Sequence, residues 1–232
     1  VVNDYADRHV DGHVKRTRQR PMATGRISET EAQLLFVALV AAAFILVLLT
    51  NWFTVLLSVG GVLLAFVYPF MKRYTHFPQV VLGAAFSWAI PMAFGAVLGH
   101  VPLEAWLLFS ANLLWTVAYD TQYAMVDRDD DLHIGMKTSA ITLGRYDVLA
   151  VMGFYAVFLC GWWALLQDEV LGWPWVIALG VSVLQVAWHF QLIRSRSREG
   201  CFKAFRLNHW LGATVFAGIV AGFALSAGPF SS

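Results

Sequence analysis

Seven long apolar stretches constrain this chain more than any other feature of its sequence. A helix that crosses a bilayer needs about 20 predominantly apolar residues. The 232-residue chain contains seven stretches close to that length, at 32–50, 52–71, 77–99, 103–119, 148–167, 170–190 and 207–228. Glu104 is the only Asp, Glu, Lys or Arg within them. Only helices and closed barrels satisfy their backbone in hydrocarbon, and the stretches lack a period of two. The sequence therefore predicts an all-α, polytopic membrane protein.

The composition excludes two other classes of protein. Hydrophobic residues make up 59% of the chain and charged residues only 13%, whereas soluble domains usually carry about 25% charged residues. A disordered chain and a nucleic-acid-binding domain are both incompatible with this composition. We therefore expect membrane lipid as a partner and no nucleic acid.

The basic residues divide the connections between these stretches into two kinds. All 16 Lys and Arg residues lie before the first stretch or in the second, fourth and sixth connections. The remaining connections and the C-terminal tail contain none. Because loops rich in Lys and Arg face the cytoplasm, the pattern predicts that residues 1–31 are cytoplasmic and that the C-terminus lies outside.

Two local signals refine the predicted spans. Ser28 and Glu31 have the spacing of a capping box, in which each side chain hydrogen-bonds to the backbone of the other residue. They predict the start of the first membrane helix. Pro91 lies inside the third stretch, where its missing N–H predicts a kink.

The first of two acidic clusters lies before the first apolar stretch. On a helix, Asn3, Asp7 and Asp11 recur every four residues, and Asp4 lies three residues before Asp7. Side chains at these spacings are neighbours on one helix face, where like charges repel one another. Such a face requires a cation or a bound ligand to offset the repulsion.

The second acidic cluster begins where the fourth apolar stretch ends. Asp127 and Asp131 are four residues apart, and Asp120 precedes Asp127 by one heptad. Both clusters lie on the predicted cytoplasmic side, which holds 12 of the 15 acidic residues. Carboxylates beside membrane spans are energetically expensive and tend to be functional.

Two carboxylate faces on one side of a membrane have the chemistry of a site for a hard divalent cation. Mg²⁺ prefers oxygen ligands and is typically held by one or two carboxylates together with phosphate oxygens and water. The clusters therefore favour a Mg²⁺-bound diphosphate, and Lys72 and Arg73 are available for the remaining phosphate charge. The alternative is that these acidic residues are solvated loop charges without a ligand.

The chain resembles the UbiA family of intramembrane prenyltransferases at these motifs. The resemblance lies in residues 3–11, in residues 68–73 (YPFMKR) and in residues 119–131 (YDTQYAMVDRDDD). The last segment, continued by residues 135–140, is similar to the bacterial 4-hydroxybenzoate polyprenyltransferases of ubiquinone biosynthesis in particular. The likeness extends over the length of the chain.

The resemblance implies a fold, a reaction and a location. It implies an all-helical fold around a central cavity, with the two aspartate motifs facing each other at the cytoplasmic mouth. The implied reaction transfers a polyprenyl group from polyprenyl diphosphate to 4-hydroxybenzoate, ortho to its hydroxyl, with Mg²⁺ as cofactor. The implied location is the bacterial inner membrane, with the active site toward the cytoplasm.

The resemblance also implies roles for individual residues, carried over by their position in the motifs. The implied metal ligands are Asp7, Asp11, Asp127 and Asp131. The implied substrate-binding residues are Asn3, Asp4, Lys72, Arg73, Asp120 and Lys137. Lys72 and Arg73, which match the basic residues of the family motif, are also candidates for catalysis. Tyr68 and Tyr123 are further catalytic candidates, because they adjoin the motifs and aromatic faces stabilise an allylic cation.

The chain departs from the family pattern at its start. Family members have nine spans, with the first motif at the end of the second span, whereas this chain has the motif from residue 3. We therefore expect residues 1–232 to form a single membrane-embedded domain that lacks about two N-terminal helices.

Two other functions remain open from the sequence. A related prenyltransferase with another aromatic acceptor would share these motifs, because acceptor choice depends on the shape of the cavity. A cation transporter would use the aspartates as an ion path. It would, however, be expected to carry ionisable residues within its spans, and these spans have almost none.

Overall fold

The computed structural model describes residues 1–9, 11–13, 17–133, 135–167 and 172–226, except the side chains of His13 and Lys72. Every regular element in these ranges is helical, which confirms the predicted all-α fold. The α-helices are α1 (Val2–Asp7), α2 (Glu29–Leu48), α3 (Trp52–Val67), α4 (Pro78–Ser87), α5 (Ala89–Leu98), α6 (Leu103–His133), α7 (Ser139–Leu143), α8 (Asp147–Leu166), α9 (Gly172–Ile193) and α10 (Arg198–Ser226). Short 3-10 helices cover Asp11–His13, Tyr68–Arg73 and Gly144–Tyr146.

Six helical stretches in the described ranges are long and apolar enough to cross a membrane. They correspond to six of the seven predicted spans. The seventh, predicted at 103–119, forms the first half of α6. This helix has 31 residues, so it is about 46 Å long at 1.5 Å per residue. It is less apolar than the others because it carries polar residues such as Asn112 and Asp120.

The outer surface of the helices is apolar, as a membrane protein requires. Large side chains such as Leu46, Leu49 and Val97 are 67%, 80% and 83% exposed. Water would disfavour so extensive an exposed apolar surface, whereas the hydrocarbon of a bilayer solvates it. The protein is therefore a polytopic membrane protein.

Two helices extend beyond the predicted apolar stretches. Helix α10 begins at Arg198, nine residues before the predicted start at 207, so Lys203 and Arg206 lie on the helix and not in a connection. Helix α6 continues to His133 through the whole second acidic cluster. Hydropathy marks the hydrocarbon boundary, whereas a helix continues into the polar interface wherever its backbone bonds persist.

Both local signals are confirmed. The Ser28 hydroxyl accepts a hydrogen bond from the Glu31 N–H at 3.2 Å, and the Glu31 carboxylate accepts one from the Ser28 N–H at 2.8 Å. The third predicted span is divided into α4 and α5 at Trp88, three residues before Pro91. The Trp88 indole N–H lies at this break and donates to the Leu57 carbonyl at 2.7 Å.

Helix α6 lies at the centre of the packing, against α4 on one side and α8 and α10 on the other. The apolar core combines small residues of α6 and α10, such as Ala118 and Ala204, with the larger Tyr155, Phe158 and Trp175. All five are at most 2% exposed. The central position of α6 fixes the second acidic cluster relative to most of the molecule.

A closed group of buried hydrogen bonds joins α6, α8, α9 and α10. The Gln122 amide donates to the Tyr155 hydroxyl at 2.9 Å, and this hydroxyl donates to the Asn208 carbonyl oxygen at 2.7 Å. The Asn208 amide donates back to the Gln122 carbonyl oxygen at 2.9 Å. His189 lies 3.1 Å from the Tyr155 hydroxyl. We call these four residues the polar hub. In a membrane interior such groups are stable because they satisfy one another.

We predict that Asn208→Leu destabilises the protein, because the substitution removes the contacts of this side chain with Gln122, Tyr155 and the Trp115 indole N–H and leaves those polar groups with fewer partners. Each buried polar group left without a partner costs about 1–3 kcal/mol. Thermal unfolding in detergent measures the effect. His209→Leu, on the exposed side of the same helix, is the matched control. Equal unfolding temperatures for the two variants would contradict a stabilising role for the hub.

Candidate functional site

The first acidic cluster is divided between two short elements. Asn3, Asp4 and Asp7 lie on α1, which ends at Asp7. Asp11 lies on a separate 3-10 helix. The prediction that one continuous helix face carries the cluster through Asp11 is therefore wrong. Asp7 and Asp11 are nevertheless both buried, at 4% and 5% exposure.

Arg20 compensates part of the charge of this cluster. One of its terminal nitrogens lies 3.1 Å from an oxygen of Asp4 and 3.1 Å from an oxygen of Asp11. Burial raises the pKa of Asp11 above the ordinary value of an aspartate, and the positive charge of Arg20 opposes this rise. The sequence pattern pointed to the carboxylates and did not identify Arg20 as their partner.

The second acidic cluster occupies one face of α6. At about 100° per residue, the side chains of this face fall within an arc of about 120°. They are Tyr119, Asp120, Tyr123, Asp127 and Asp131. Asp127 is only 6% exposed. The predicted spacing is therefore realised on a single helix, and it also aligns two tyrosines with the carboxylates.

The opposite face of α6 is held by polar contacts to other helices. The Thr121 hydroxyl lies 2.8 Å from the Ser139 hydroxyl at the start of α7. Gln122 belongs to the polar hub. Arg128 forms an ion pair with Asp147 at the start of α8. These contacts fix the rotation of α6 about its axis, and with it the direction of the acidic face.

The two acidic clusters approach each other at Tyr68. This tyrosine begins the 3-10 helix that follows α3, and it lies within electrostatic range of both Asp7 and Asp120. Arg73, at the end of the same 3-10 helix, donates a hydrogen bond to the Ala6 carbonyl at 2.8 Å and so ties this element to α1. Carboxylates of both acidic clusters therefore lie near Tyr68.

Aromatic rings surround this meeting point. The ring of Tyr123 lies 4.5 Å from that of Phe205, and the ring of Tyr119 lies 6.2 Å from it. Tyr119 also contacts Trp115 edge to face at 5.5 Å. Tyr68 lies within electrostatic range of both tyrosines. Phe205 carries no motif, so nothing in the sequence distinguished it from the other phenylalanines.

The roles of all the predicted site residues stay predictions, and for Lys72 and Lys137 the structure gives only a position. The structure describes the backbone of Lys72 beside Arg73 but not its side chain. Lys137 lies half-buried in the segment between α6 and α7, which begins where the second acidic cluster ends. Neither position identifies the group that the lysine meets.

The oxygen ligands present suit Mg²⁺ shared with a phosphate better than a closed protein cage. Among the described residues, no three His, Cys, Asp or Glu side chains lie close enough to hold a metal ion alone. Mg²⁺ typically takes one or two carboxylates together with substrate phosphates, and each cluster offers a carboxylate that is nine-tenths buried. The Asn3 amide oxygen is also buried, with no hydrogen-bond partner within the described ranges. The residues therefore fit a Mg²⁺ that is completed by a diphosphate.

The fold and the site together define a polytopic helical membrane protein with two acidic motifs and an aromatic cluster between them. Residues 1–229 match the sequence model of the UbiA prenyltransferase family, and the chain belongs to that family. The resemblance seen in the motifs is thereby confirmed.

Curated bacterial relatives match almost the whole chain. A 4-hydroxybenzoate octaprenyltransferase from Chromohalobacter salexigens is 60% identical over 222 residues, which are 94% of this chain and 74% of the relative. The protein of the same name from Paracidovorax citrulli is 59% identical, over 97% of this chain and 76% of its own length. That from Pseudomonas syringae is 55% identical, again over 97% and 76%.

Solved structures agree with the fold. A UbiA homolog from Aeropyrum pernix K1 superposes with a TM-score of 0.83 at 26% identity, covering 95% of this chain and 82% of its own. A UbiA homolog from Archaeoglobus fulgidus bound to GPP and Mg²⁺ superposes with a TM-score of 0.65 at 19% identity, covering 94% and 81%.

We predict that Asp147→Asn destabilises the protein more than Asp130→Asn does. Asp147 is fully buried between Arg128 and Arg196, and breaking a buried ion pair costs about 3–5 kcal/mol. The pair of Asp130 with Arg198 is partly exposed, and pairs of this kind contribute about 0–1 kcal/mol. Unfolding temperatures of the two variants in detergent test the difference, and a smaller effect at Asp147 would contradict the anchoring of α6 by this ion pair.

Proposed function

We propose that this prenyltransferase transfers a polyprenyl group from polyprenyl diphosphate to 4-hydroxybenzoate, at the carbon ortho to the hydroxyl, in ubiquinone biosynthesis. The observation that carries the proposal is that carboxylates of both acidic motifs, Asp7 and Asp120, lie within electrostatic range of Tyr68, beside the aromatic cluster of a membrane protein. The bacterial relatives named 4-hydroxybenzoate octaprenyltransferase, at 55–60% identity, support the choice of acceptor.

The acidic motifs are the proposed diphosphate site. In this proposal the Mg²⁺ ligands are Asp7 and Asp11 of the first motif and Asp127 and Asp131 of the second. Asn3, Asp4 and Asp120 flank them and bind the substrate. When bound, Mg²⁺ supplies Lewis-acid stabilisation of the diphosphate as a leaving group. The proposal for Mg²⁺ rests on the donor set of this chain, whose buried oxygens have the hard character that the ion prefers.

The basic residues of the 3-10 helix complete the binding of the anionic substrates. Arg73 uses one nitrogen for the Ala6 carbonyl, and a guanidinium has five N–H donors. The remaining donors of Arg73 are directed, in this proposal, to the diphosphate or to the carboxylate of the acceptor. Lys72 and Lys137 contribute further positive charge at the same site. Charge-assisted hydrogen bonds of this kind are stronger than neutral ones.

The aromatic cluster suits the carbon chemistry. The bond between the first prenyl carbon and the diphosphate oxygen breaks, and its electron pair leaves with the diphosphate. The electron-rich ring of the acceptor attacks the allylic cation, forms the new carbon–carbon bond, and then loses the ring proton to restore aromaticity. Tyr68 and Tyr123 lie at the meeting point of the acidic motifs, where their faces stabilise the cation and their bulk excludes water.

The proposed orientation places this site toward the cytoplasm of a bacterial inner membrane, with the C-terminus outside. The support is the distribution of Lys and Arg, all of which lie in the first 31 residues, in alternate connections, or in the helix ends next to those connections. Residues 1–232 are proposed to form a single membrane-embedded domain. Membrane lipid is then the partner of the exposed apolar helix faces, and we propose no nucleic-acid partner.

A direct assay tests the proposed reaction. Membranes that contain the full-length protein are incubated with 4-hydroxybenzoate, a polyprenyl diphosphate and Mg²⁺, and the product is identified by mass. We expect a prenylated 4-hydroxybenzoate and one equivalent of diphosphate. Diphosphate release with a different aromatic acceptor only would contradict the choice of acceptor. Ion flux without diphosphate release would contradict the transferase itself.

We predict that Asp7→Asn and Asp127→Asn each abolish transfer while leaving the protein folded. Both carboxylates are buried on the acidic faces, and the amide keeps their shape but removes the negative charge that a hard cation requires. The expected loss of kcat is at least about 10²-fold, the range seen when one charge-stabilising group of an active site is removed. Asp129→Asn, on an exposed part of α6, is the matched control. Near-normal turnover of the two buried variants would sink the metal assignment.

A further inference from the structure

Arg20 occupies an unusual position within the first acidic motif. It belongs to the segment that leads from the motif to α2, yet one guanidinium nitrogen bridges carboxylates on two different elements. The distances are 3.1 Å to Asp4 on α1 and 3.1 Å to Asp11 on the following 3-10 helix. A second contact, at 3.4 Å, joins the same nitrogen to the other oxygen of Asp11. Both Asp11 oxygens are thus engaged by one cation.

The local backbone holds Arg20 in this position. The Thr17 hydroxyl donates to the Asp11 carbonyl at 3.0 Å, and the Arg20 N–H donates to the Thr17 carbonyl at 2.9 Å. Thr17 is 3% exposed. The turn therefore holds the backbone of Arg20 close to Asp11, and the carboxylate of Asp11 is the group that the guanidinium contacts. The contact is built into the local fold of the motif.

The bridged oxygens are among those that the proposed function assigns to Mg²⁺. The ion binds oxygen at 2.0–2.1 Å, and the two oxygens of a carboxylate offer about four lone-pair sites. The guanidinium of Arg20, at hydrogen-bond distance from both oxygens of Asp11, occupies some of these sites. Two cations a few ångströms apart also repel each other strongly in a partly buried site. Asp11 therefore binds the metal less tightly while it keeps its contact with Arg20, so the two cations compete for this carboxylate.

We propose that Arg20 is a built-in counter-ion of the first motif that exchanges with Mg²⁺ when the prenyl diphosphate binds. This inference rests on the proposed function. Without substrate, Arg20 neutralises Asp4 and Asp11 and keeps the affinity for the metal alone low. A diphosphate brings negative charge that accepts the released guanidinium, since arginine pairs with phosphate oxygens through two parallel hydrogen bonds. The metal and the diphosphate then bind together much more tightly than either binds alone.

A purely structural ion pair makes a different prediction. If Arg20 served only to hold the turn, its loss would weaken the binding of metal and diphosphate alike. A counter-ion that exchanges has effects of opposite sign on the two measurements. Its removal raises the affinity for the metal alone, because the competing cation is gone. Its removal also lowers the gain in metal affinity that the diphosphate provides, because no released guanidinium is available to bind the diphosphate.

Binding of Mn²⁺ as a spectroscopic substitute for Mg²⁺ separates these cases. Free Mn²⁺ is measured by electron paramagnetic resonance with the purified full-length protein, with and without a prenyl thiodiphosphate that does not ionise. For Arg20→Gln we expect a lower Kd for Mn²⁺ alone and a smaller gain from the analogue, each by at least about fivefold, the lower end of typical coupling between two sites. Arg26→Gln removes an exposed arginine of the same segment and is expected to match the wild type.

The outcomes are distinguishable. A folded Arg20→Gln protein that binds Mn²⁺ alone no more tightly than the wild type overturns the inference and leaves the proposed function intact. If Arg20→Gln does not fold, Arg20→Lys takes its place, because lysine keeps the charge but lacks the paired donors. An analogue-dependent gain equal to that of the wild type in Arg20→Lys then overturns the exchange. A wild-type protein that binds neither the metal nor the analogue contradicts the proposed function and, with it, the inference.

Discussion

Hydrocarbon offers no hydrogen bonds, so every polar group that enters it must find a partner within the protein. Helix α6 is organised by this constraint. Its anchoring face uses Thr121, Gln122 and Arg128 to reach α7, α8 and α10, and these contacts leave little freedom of rotation. The opposite face, from Tyr119 to Asp131, is thereby held in one direction. The anchoring contacts thus allow α6 to present a stable acidic face at the edge of a membrane.

The first motif is built on a different principle. Its helix α1 has only six residues, too few for a stable helix by itself. Charge holds it in place, through Arg20 across Asp4 and Asp11 and through Arg73 at the Ala6 carbonyl. One half of the site is therefore rigid and the other half depends on ion pairs that a charged ligand rearranges. This asymmetry suits the exchange proposed for Arg20, because the ion pairs of the first motif can change partners while α6 stays in place.

The sequence predicted the helices and both acidic motifs because their signals are local. Apolar runs and an interval of four residues can be recognised without knowing the fold. It could not predict where α10 begins, since Arg198 is as compatible with a helix at the interface as with a loop. It was wrong about the helix expected to carry Asp11, because the spacing argument assumed one unbroken helix. The sequence did not predict the role of Phe205 or the polar hub, because both arise from long-range packing. The amide contact between Gln122 and Asn208, for example, joins residues 86 positions apart.

The distance between the two halves depends on how closely α4 approaches α6. Tyr68 lies just before α4 in the chain, whereas Asp120 lies on α6. At Gly83 of α4, a Cβ atom would lie 2.8 Å from the Leu113 carbonyl oxygen of α6, closer than real side chains permit. Glycine allows this contact between backbones because it has no side chain. A larger residue there would push α4 outward and carry Tyr68 and the tethered first motif away from Asp120. The meeting of the two acidic motifs thus depends on an apolar packing contact that contains none of the residues that perform the chemistry.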